Sequence, residues 1–201
     1  MDIILSRCIC RAGRNIVVNE RKNKRFQYND WLELGLSCVR SEPATRLTVD
    51  HLCERAGKTK GSFYFHFKNI DAYFMALAEH WYEQFTIELI HKSQQKSSPK
   101  DRLDLLNALA VQLDPGIEQG MRALAAREPS INGICKKVDE MRLAYLGKLY
   151  QSTGHFSNED AEALAVFEYA AMVGYQQIKP DATPKETAKM YQVFLKLTGR
   201  T

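Results

Sequence analysis

The sequence has no long apolar run and no membrane-targeting leader of recognisable form. No stretch approaches the roughly 20 apolar residues that a membrane-spanning helix needs. The opening MDIILSRCICRAGRN has only three consecutive apolar residues before Arg7, too few for the core of a secretory signal. We therefore expect no signal peptide and a cytoplasmic protein that does not contact membranes.

Catalytic and cofactor-binding motifs are also missing. The five histidines occur without a His-Glu-x-x-His motif, and neither a Gly-x-Ser-x-Gly motif nor a phosphate-binding glycine loop is present. His80 and His91 share one predicted helix, but eleven residues rise about 16 Å, which is too far for one metal ion. The sequence predicts that the protein is not an enzyme and has no catalytic residues, no cofactor and no metal site.

The number and distribution of the cysteines argue against a disulfide framework. The five cysteines are odd in number and scattered along the chain. Cys8 and Cys10 form a lone Cys-x-Cys without a partner pair, which makes a poor metal site. No activating group surrounds Cys135 in the sequence, so a buried and inert thiol is favoured over a redox sensor.

The most informative segment that is present runs from Thr48 to Lys68, TVDHLCERAGKTKGSFYFHFK. Thr48 is a good helix N-cap, and the apolar residues after it recur at helical spacing. Gly57 favours the left-handed backbone that ends a helix, and Thr59 is a second N-cap. Phe63 and Phe67, four residues apart, predict the buried side of a second short helix. The segment therefore predicts a helix-turn-helix.

The outward side of the second helix carries side chains that suit DNA. The leading residues of such a helix meet base edges in the major groove, so Thr59 to Ser62 is the predicted reading end. Hydroxyl, imidazole and ammonium groups further along are donors to phosphate oxygens, and the start of the first helix offers backbone amides to another phosphate. The predicted DNA contacts are Thr48, Lys58, Thr59, Lys60, Gly61, Ser62, Tyr64, Phe65, His66 and Lys68.

The stretch AGKTKGSFYFHFK, from Ala56 to Lys68, resembles the signature of the TetR family of bacterial transcriptional regulators. The flanking TRLTVDHLCERAG and NIDAYFMALAEHW also resemble that family, and the likeness covers roughly residues 26–82. Lys58 stands where the family usually has an apolar turn residue, and Phe65 where a polar group is common. Lys58 can extend to solvent or a phosphate, and Phe65 can contact a thymine methyl, which favours A·T pairs there.

Charge is unevenly distributed along the chain. Residues 1–68 hold thirteen Lys/Arg and seven Asp/Glu, a net of +6, whereas residues 69–201 have a net of −2. A basic front end suits phosphate neutralisation. Residues 1–25 read as a basic, mobile arm that enters the minor groove or follows the DNA backbone; the alternative is a solvated tail that adds only general attraction.

The remaining sequence predicts helices throughout, which makes the fold class all-α. A helix over 26–40 precedes the motif, and a long connecting helix runs from Asn69 to about His91. Further helices are predicted over 100–113, 115–127, 129–152, 158–178 and 184–198, which gives nine in total, the number that the resemblance implies. We expect a DNA-binding domain over residues 26–70 and a helical regulatory and dimerisation domain over 71–201.

Apolar stripes on the last two predicted helices suggest a homodimer, as the resemblance also implies. The predicted interface is Leu164, Ala171, Tyr175, Tyr191 and Phe194; the alternative is that these stripes pack only within one chain. Met121, Tyr145, Phe167 and Met172 are candidates to line an effector pocket, although such residues are more commonly ordinary core.

These observations together predict a regulator that binds double-stranded DNA in a sequence-specific way. The most favoured form is a dimeric repressor that binds a palindromic operator and responds to a small molecule. The alternatives are an activator of the same family, or a helical small-molecule-binding protein with a vestigial DNA-binding motif.

Overall fold

The computed structural model describes residues 26–198, in which the regular structure is helical and contains no strand. The all-α prediction is thus confirmed. The α-helices are α1 (Tyr28–Ser41), α2 (Val49–Ala56), α3 (Lys60–Tyr64), α4 (Ile70–Tyr82), α5 (Glu88–Gln94), α6 (Pro99–Val111), α7 (Pro115–Arg127), α8 (Pro129–Ser152), α9 (Asn158–Ile178) and α10 (Pro184–Leu197). A 3₁₀ turn over Ala44–Arg46 links α1 to α2.

Helices α4 and α5 belong to one continuous rod, because the π-helical segment Glu83–Ile87 joins them without a break. Counting that rod once gives nine helices over residues 26–198, as predicted. The rod ends at Gln94, slightly later than the predicted His91.

Local sequence signals explain where the later helices begin. Proline occupies the first turn of α6, α7, α8 and α10, where its fixed φ suits a helix and its missing N–H costs no hydrogen bond. The side chains of Ser98, Asp114, Ser157 and Thr183 each accept a hydrogen bond from a backbone N–H of the helix that follows. These caps place the helix starts within one residue of the predicted positions.

Aromatic side chains from α1, α3 and α4 form a cluster in the hydrophobic core. Phe63 lies against Trp31 at 5.4 Å and Tyr73 at 5.3 Å between ring centroids, and all three side chains are fully buried. The Tyr73 hydroxyl donates a hydrogen bond to the Trp31 carbonyl, 2.9 Å away. Gly35 makes this possible, since a β-carbon there would overlap the Tyr73 hydroxyl. The short helix α3 is therefore held by its ring contacts.

Helices α1–α4 share one hydrophobic core with α7 and α8. Buried residues run without interruption from α1–α4 into α7 and α8. Helix α7 approaches α1 closely because Gly120 has no side chain: a β-carbon there would overlap the backbone carbonyl of Val39. Arg40 forms an ion pair with Asp114 at the same contact, with 2.5 Å between Nε and Oδ2. A separate cluster between α6, α8 and α9 forms a second core.

Among the helices of residues 26–198, none combines the length and the apolar character that crossing a membrane requires.

Candidate DNA-binding face and regulatory interior

The turn between α2 and α3 has the predicted geometry. Gly57 adopts φ 61° and ψ 36°, the left-handed region in which glycine is unstrained. Thr48 Oγ1 accepts from the His51 N–H at 3.2 Å, and Thr59 Oγ1 accepts from the Ser62 N–H at 3.3 Å. Both predicted N-caps are therefore present.

Most of the predicted DNA contacts are accessible to solvent. The exposed members are Thr48, Thr59, Lys60, Gly61, Tyr64, Phe65 and Lys68, and the half-buried ones are Lys58, Ser62 and His66. Phe65 is the most exposed aromatic side chain there, at 67%. A large apolar ring in water has an energetic cost that a partner surface would remove.

Two of these residues have intramolecular partners that the sequence did not indicate. Lys60 Nζ lies 2.6 Å from Asp50 Oδ1 on α2, and the hydrogen bond and charge of Asp50 raise the pKa of the lysine. His66 Nε2 lies 3.2 Å from the Phe26 carbonyl, which leaves only Nδ1 of that ring for a phosphate. Contact of Lys60 with DNA therefore competes with its ion pair to Asp50.

The net positive charge of the front end resides mainly in the predicted arm. Residues 26–68 contain six Lys/Arg and five Asp/Glu, a net of +1, whereas residues 1–25 contain seven and two, a net of +5. The arm, with Cys8 and Cys10, lies outside the described residues. On the described face, Lys58, Lys60 and Lys68 supply the basic side chains next to the turn.

A cluster of charged side chains fills the interior between α7, α8 and α9. Arg122 donates to Asp139 at 2.6 Å and to the Tyr169 hydroxyl at 2.8 Å, and Arg142 donates to both oxygens of Glu118 at 3.1 Å. Burial alone would raise the pKa of Asp139, but hydrogen bonds from Arg122 and Tyr169 outweigh it and lower that pKa. This cluster was not predicted from the sequence, because alternating charges on helices usually indicate a solvated face.

Arg142 also connects the cluster to the π-helical segment. Its Nε donates to the Thr86 hydroxyl at 3.0 Å and its Nη2 to the Phe85 carbonyl at 3.3 Å. A π-helical turn leaves α-type hydrogen bonding disturbed, and a side-chain donor can satisfy a carbonyl there. Arg142 therefore connects the interior between α7, α8 and α9 to the rod formed by α4 and α5.

A second buried polar group lies between α8, α9 and α10. The carboxylate of Glu168 accepts from the hydroxyls of Tyr150 and Tyr191, and Asn107 on α6 donates to the Tyr191 hydroxyl. Glu168 is 5% exposed. These contacts fix the position of α10 on its own chain.

This packing bears on the predicted dimer interface. Tyr191 and Phe194 are 9% and 6% exposed and stack on each other inside their own chain. Leu164, Ala171 and Tyr175 are half-buried. The large apolar side chains that α9 and α10 leave exposed are Val166, Phe167, Ile178, Val193 and Leu197.

The four predicted pocket residues occupy different environments. Met121 is completely buried in the main core, Phe167 is 58% exposed, and Met172 is half-buried. Tyr145 lines an open groove of about 390 Å³ beside α5, α6 and α8, and its hydroxyl is 2.5 Å from Ser93 Oγ on α5. The groove is lined by Ile90, Gln94, Arg102, Met141, Ala144, Tyr145, Lys148, Leu149 and Ser152.

Cys135 lies in the main core, 8% exposed. Burial raises the pKa of its thiol to about 11, which keeps it protonated at neutral pH. A protonated, inaccessible thiol is unreactive.

Known proteins resemble this chain in fold rather than in sequence. No protein-family model matches the chain, and no curated protein matches it in sequence. Three solved structures match its fold over most of their length. Regulatory protein TetR from Rhodobacter sphaeroides has a TM-score of 0.64 and 22% identity, covering 83% of this chain and 96% of that one.

Two regulators with the name FadR are also similar in fold. The transcriptional regulator FadR from Bacillus subtilis, in complex with stearoyl-CoA, has a TM-score of 0.63 and 16% identity, covering 87% of this chain and 100% of that one. The fatty acid degradation regulator FadR from Bacillus halodurans has a TM-score of 0.65 and 14% identity, covering 87% and 97%. The chain therefore has the fold of TetR-type transcriptional regulators, as the resemblance at Ala56–Lys68 predicted.

Proposed function

We propose that the protein is a sequence-specific DNA-binding transcriptional regulator. The observation that carries this proposal is the pair of capped helices around Gly57, with a buried phenylalanine side and an accessible face of hydroxyl, aromatic and basic groups. Residues 26–70 act as the DNA-binding domain, residues 71–201 carry regulation and dimerisation, and the basic arm at 1–25 adds phosphate contacts.

We expect Tyr64→Ala and Lys60→Ala to weaken binding to a palindrome from the protein's own upstream region. Each change removes a donor to phosphate or base, so the loss is about 5- to 160-fold per residue, from about 1–3 kcal/mol. Fluorescence anisotropy against salt concentration measures it, and Lys60→Ala is expected to reduce the salt slope by about one.

Lys100→Ala is the matched control for this experiment. Lys100 is an exposed lysine that, like Lys60, pairs with an aspartate, but it lies on α6 in the regulatory part. Its removal is expected to leave DNA affinity within about twofold, because an exposed ion pair has little energetic weight. Variants at 60 and 64 that bind as the parent does would show that this face does not read DNA.

A homodimer is the second part of the proposal. Helix α3 has five residues and reads few base pairs, so two copies related by a two-fold axis are needed for a palindromic site. The exposed apolar residues of α9 and α10 supply a surface for pairing, with the half-buried Leu164, Ala171 and Tyr175 beside it. Tyr191 and Phe194 support that surface from beneath.

Val193→Asp with Leu197→Asp is expected to convert the dimer to a monomer. These side chains are 48% and 79% exposed on α10, so the change adds charge to the pairing surface without disturbing the monomer's core. Sedimentation velocity measures the result. Met75→Asp, at a residue 36% exposed on α4, is the control and is expected to remain dimeric. A charged double variant that stays dimeric would place the interface elsewhere.

The regulatory part is proposed to bind a small molecule that releases DNA. The groove beside Tyr145 combines apolar residues with Arg102 and Lys148, which suits an effector with an apolar chain and an anionic group. The Bacillus subtilis regulator of similar fold was solved in complex with stearoyl-CoA, which supports an effector of this chemistry. The hydrogen bond between the hydroxyls of Tyr145 and Ser93 connects the groove to the rod.

Effector action is then a population shift. Reading helices engage one DNA face when they lie about 34–36 Å apart, or a multiple of that distance. A ligand that prefers another spacing weakens DNA binding by its differential affinity for the two states. The same linkage also fits an activator. A reporter gene under the operator distinguishes the two, because an effector that releases DNA raises expression if the protein is a repressor.

A further inference from the structure

Three side chains with metal-ligand chemistry meet where the end of α1 lies against α2. They are Cys38 on α1, Glu42 just after it and His51 on α2, and their ligand atoms all lie within 4.8 Å of one another. Cys38 is 2% exposed, and the side chains of Glu42 and His51 are 13% and 18% exposed. Thiolate, carboxylate and imidazole are the ligands that Zn²⁺ takes in proteins.

The imidazole of His51 and the carboxylate of Glu42 do not fully satisfy each other's hydrogen-bonding capacity. His51 Nε2 and Glu42 Oε2 are 2.6 Å apart, yet both atoms are shielded from solvent, and neither has a hydrogen-bond partner of acceptable geometry in the described residues. A buried polar atom without a well-aligned hydrogen bond is destabilising. An ion that accepts both lone pairs removes that destabilisation.

We propose that Cys38, Glu42 and His51 form a binding site for a divalent transition-metal ion of the Zn²⁺ class. The sequence predicted no metal site, and the site's contacts do not depend on the proposed DNA binding. Because the ligands come from both α1 and α2, the bound ion joins the first helix of the DNA-binding motif to the helix before it.

The chemistry of the ligands selects the class of ion. Burial and the neighbouring Glu42 raise the pKa of the Cys38 thiol to about 11, so the ion has to displace the thiol proton. Zn²⁺ and Co²⁺ bind thiolate and imidazole well, whereas Mg²⁺ and Ca²⁺ prefer oxygen ligands. Three protein ligands leave one position of a tetrahedral ion open for a water molecule.

Two arginines near the site oppose a cation and limit its affinity. Arg55 Nη1 is 3.5 Å from Glu42 Oε1, and Arg46 lines the same small cavity. The side chain of Arg55 is 47% exposed, so it can turn into solvent when an ion binds Glu42. Thiolate and carboxylate together neutralise the two charges of the ion.

The experiment titrates the purified full-length chain with Co²⁺ and then with Zn²⁺. One equivalent of Co²⁺ is expected to produce a thiolate-to-cobalt charge-transfer band, and Zn²⁺ to abolish the band and raise the thermal midpoint. Mg²⁺ is expected to do neither. Cys38→Ser is expected to lose both the band and the Zn²⁺-dependent shift.

Matched variants separate this site from the other thiols. Cys53→Ser removes a buried thiol on α2, and Cys8→Ser with Cys10→Ser removes the Cys-x-Cys of the arm; both are expected to keep the band. A band that survives Cys38→Ser, or that disappears with Cys8 and Cys10, overturns the proposal. Absence of any band in the parent overturns it too and leaves Glu42 and His51 as a plain ion pair.

If Cys38→Ser does not fold, His51→Gln and Glu42→Gln take its place. Each variant removes one ligand while it retains size and polarity, and we expect Co²⁺ binding about tenfold weaker or more. Binding unchanged in both variants contradicts the assigned ligands.

Discussion

Replacing Arg142 with methionine is expected to lower the free energy of unfolding by about 3–5 kcal/mol, the cost of breaking a buried ion pair by removing one partner. Glu118 is 6% exposed and would lose both hydrogen bonds from Arg142. Thr86 and the Phe85 carbonyl would lose a donor as well. Arg122 still lies 2.8 Å from Glu118, so the lower part of the range is expected. Urea unfolding followed by circular dichroism measures the change.

Lys92→Met is the control for this prediction. Lys92 pairs with Glu88 at 3.3 Å on an exposed face, so its loss is expected to cost less than about 1 kcal/mol. Adding Glu118→Leu to Arg142→Met is expected to recover part of the loss, since the uncompensated buried carboxylate is then gone. Equal losses for Arg142 and Lys92 would show that the interior cluster contributes no more than a surface pair.

Gly120→Ala is expected to have the second large effect on the free energy of unfolding. A β-carbon at position 120 overlaps the backbone carbonyl of Val39, and a backbone atom cannot turn aside as a flexible side chain can. Helix α7 therefore has to move away from α1, and we expect a loss of about 1–3 kcal/mol, as for overpacked cores. Since α1 belongs to the proposed DNA-binding domain, weaker operator binding is expected with it. Thermal unfolding and anisotropy measure the two effects.

Gly133→Ala is the matched control, because position 133 on α8 has open space where the β-carbon would go. Alanine is favoured over glycine inside a helix, so this variant is expected to gain roughly 0.5–1 kcal/mol. A Gly120→Ala variant as stable as Gly133→Ala would mean that the α1–α7 contact adjusts without cost.

The positions of the helices were predictable because their ends have local causes. Pro115 and Pro129 begin helices at the predicted residues, and the N-caps Thr48 and Thr59 bond as their sequence context indicated. Phe63 and Phe67 are buried as their spacing predicted. Such signals depend on a few neighbouring residues and need no knowledge of the tertiary fold.

The buried polar contacts between α7, α8, α9 and α10 were not predictable, since the paired residues are distant in sequence. Glu118 and Arg142 are separated by 24 positions, and on separate helices each reads as an ordinary exposed charge. Tyr191 has the spacing of an interface residue, and only the fold shows that its hydroxyl bonds to Glu168 within the same chain.

The candidate metal ligands show the same limit at shorter range. Cys38 and Glu42 are four residues apart, but His51 follows a turn over Ala44–Arg46 whose direction the sequence does not specify. Sequence inspection therefore finds a lone cysteine and a lone histidine. Only the path of that turn brings the three side chains together.

The π-helical turn at Glu83–Ile87 constrains how this chain can vary in length. A turn with hydrogen bonds to the fifth residue holds more residues than an α-turn, so the apolar stripe of α5 is out of phase with that of α4. That offset lets Trp81 face the main core while Leu89 and Ile90 meet other neighbours. Inserting or deleting one residue in the rod would rotate α5 relative to α4 and turn buried side chains towards water. Substitutions in the rod are therefore tolerated better than insertions or deletions.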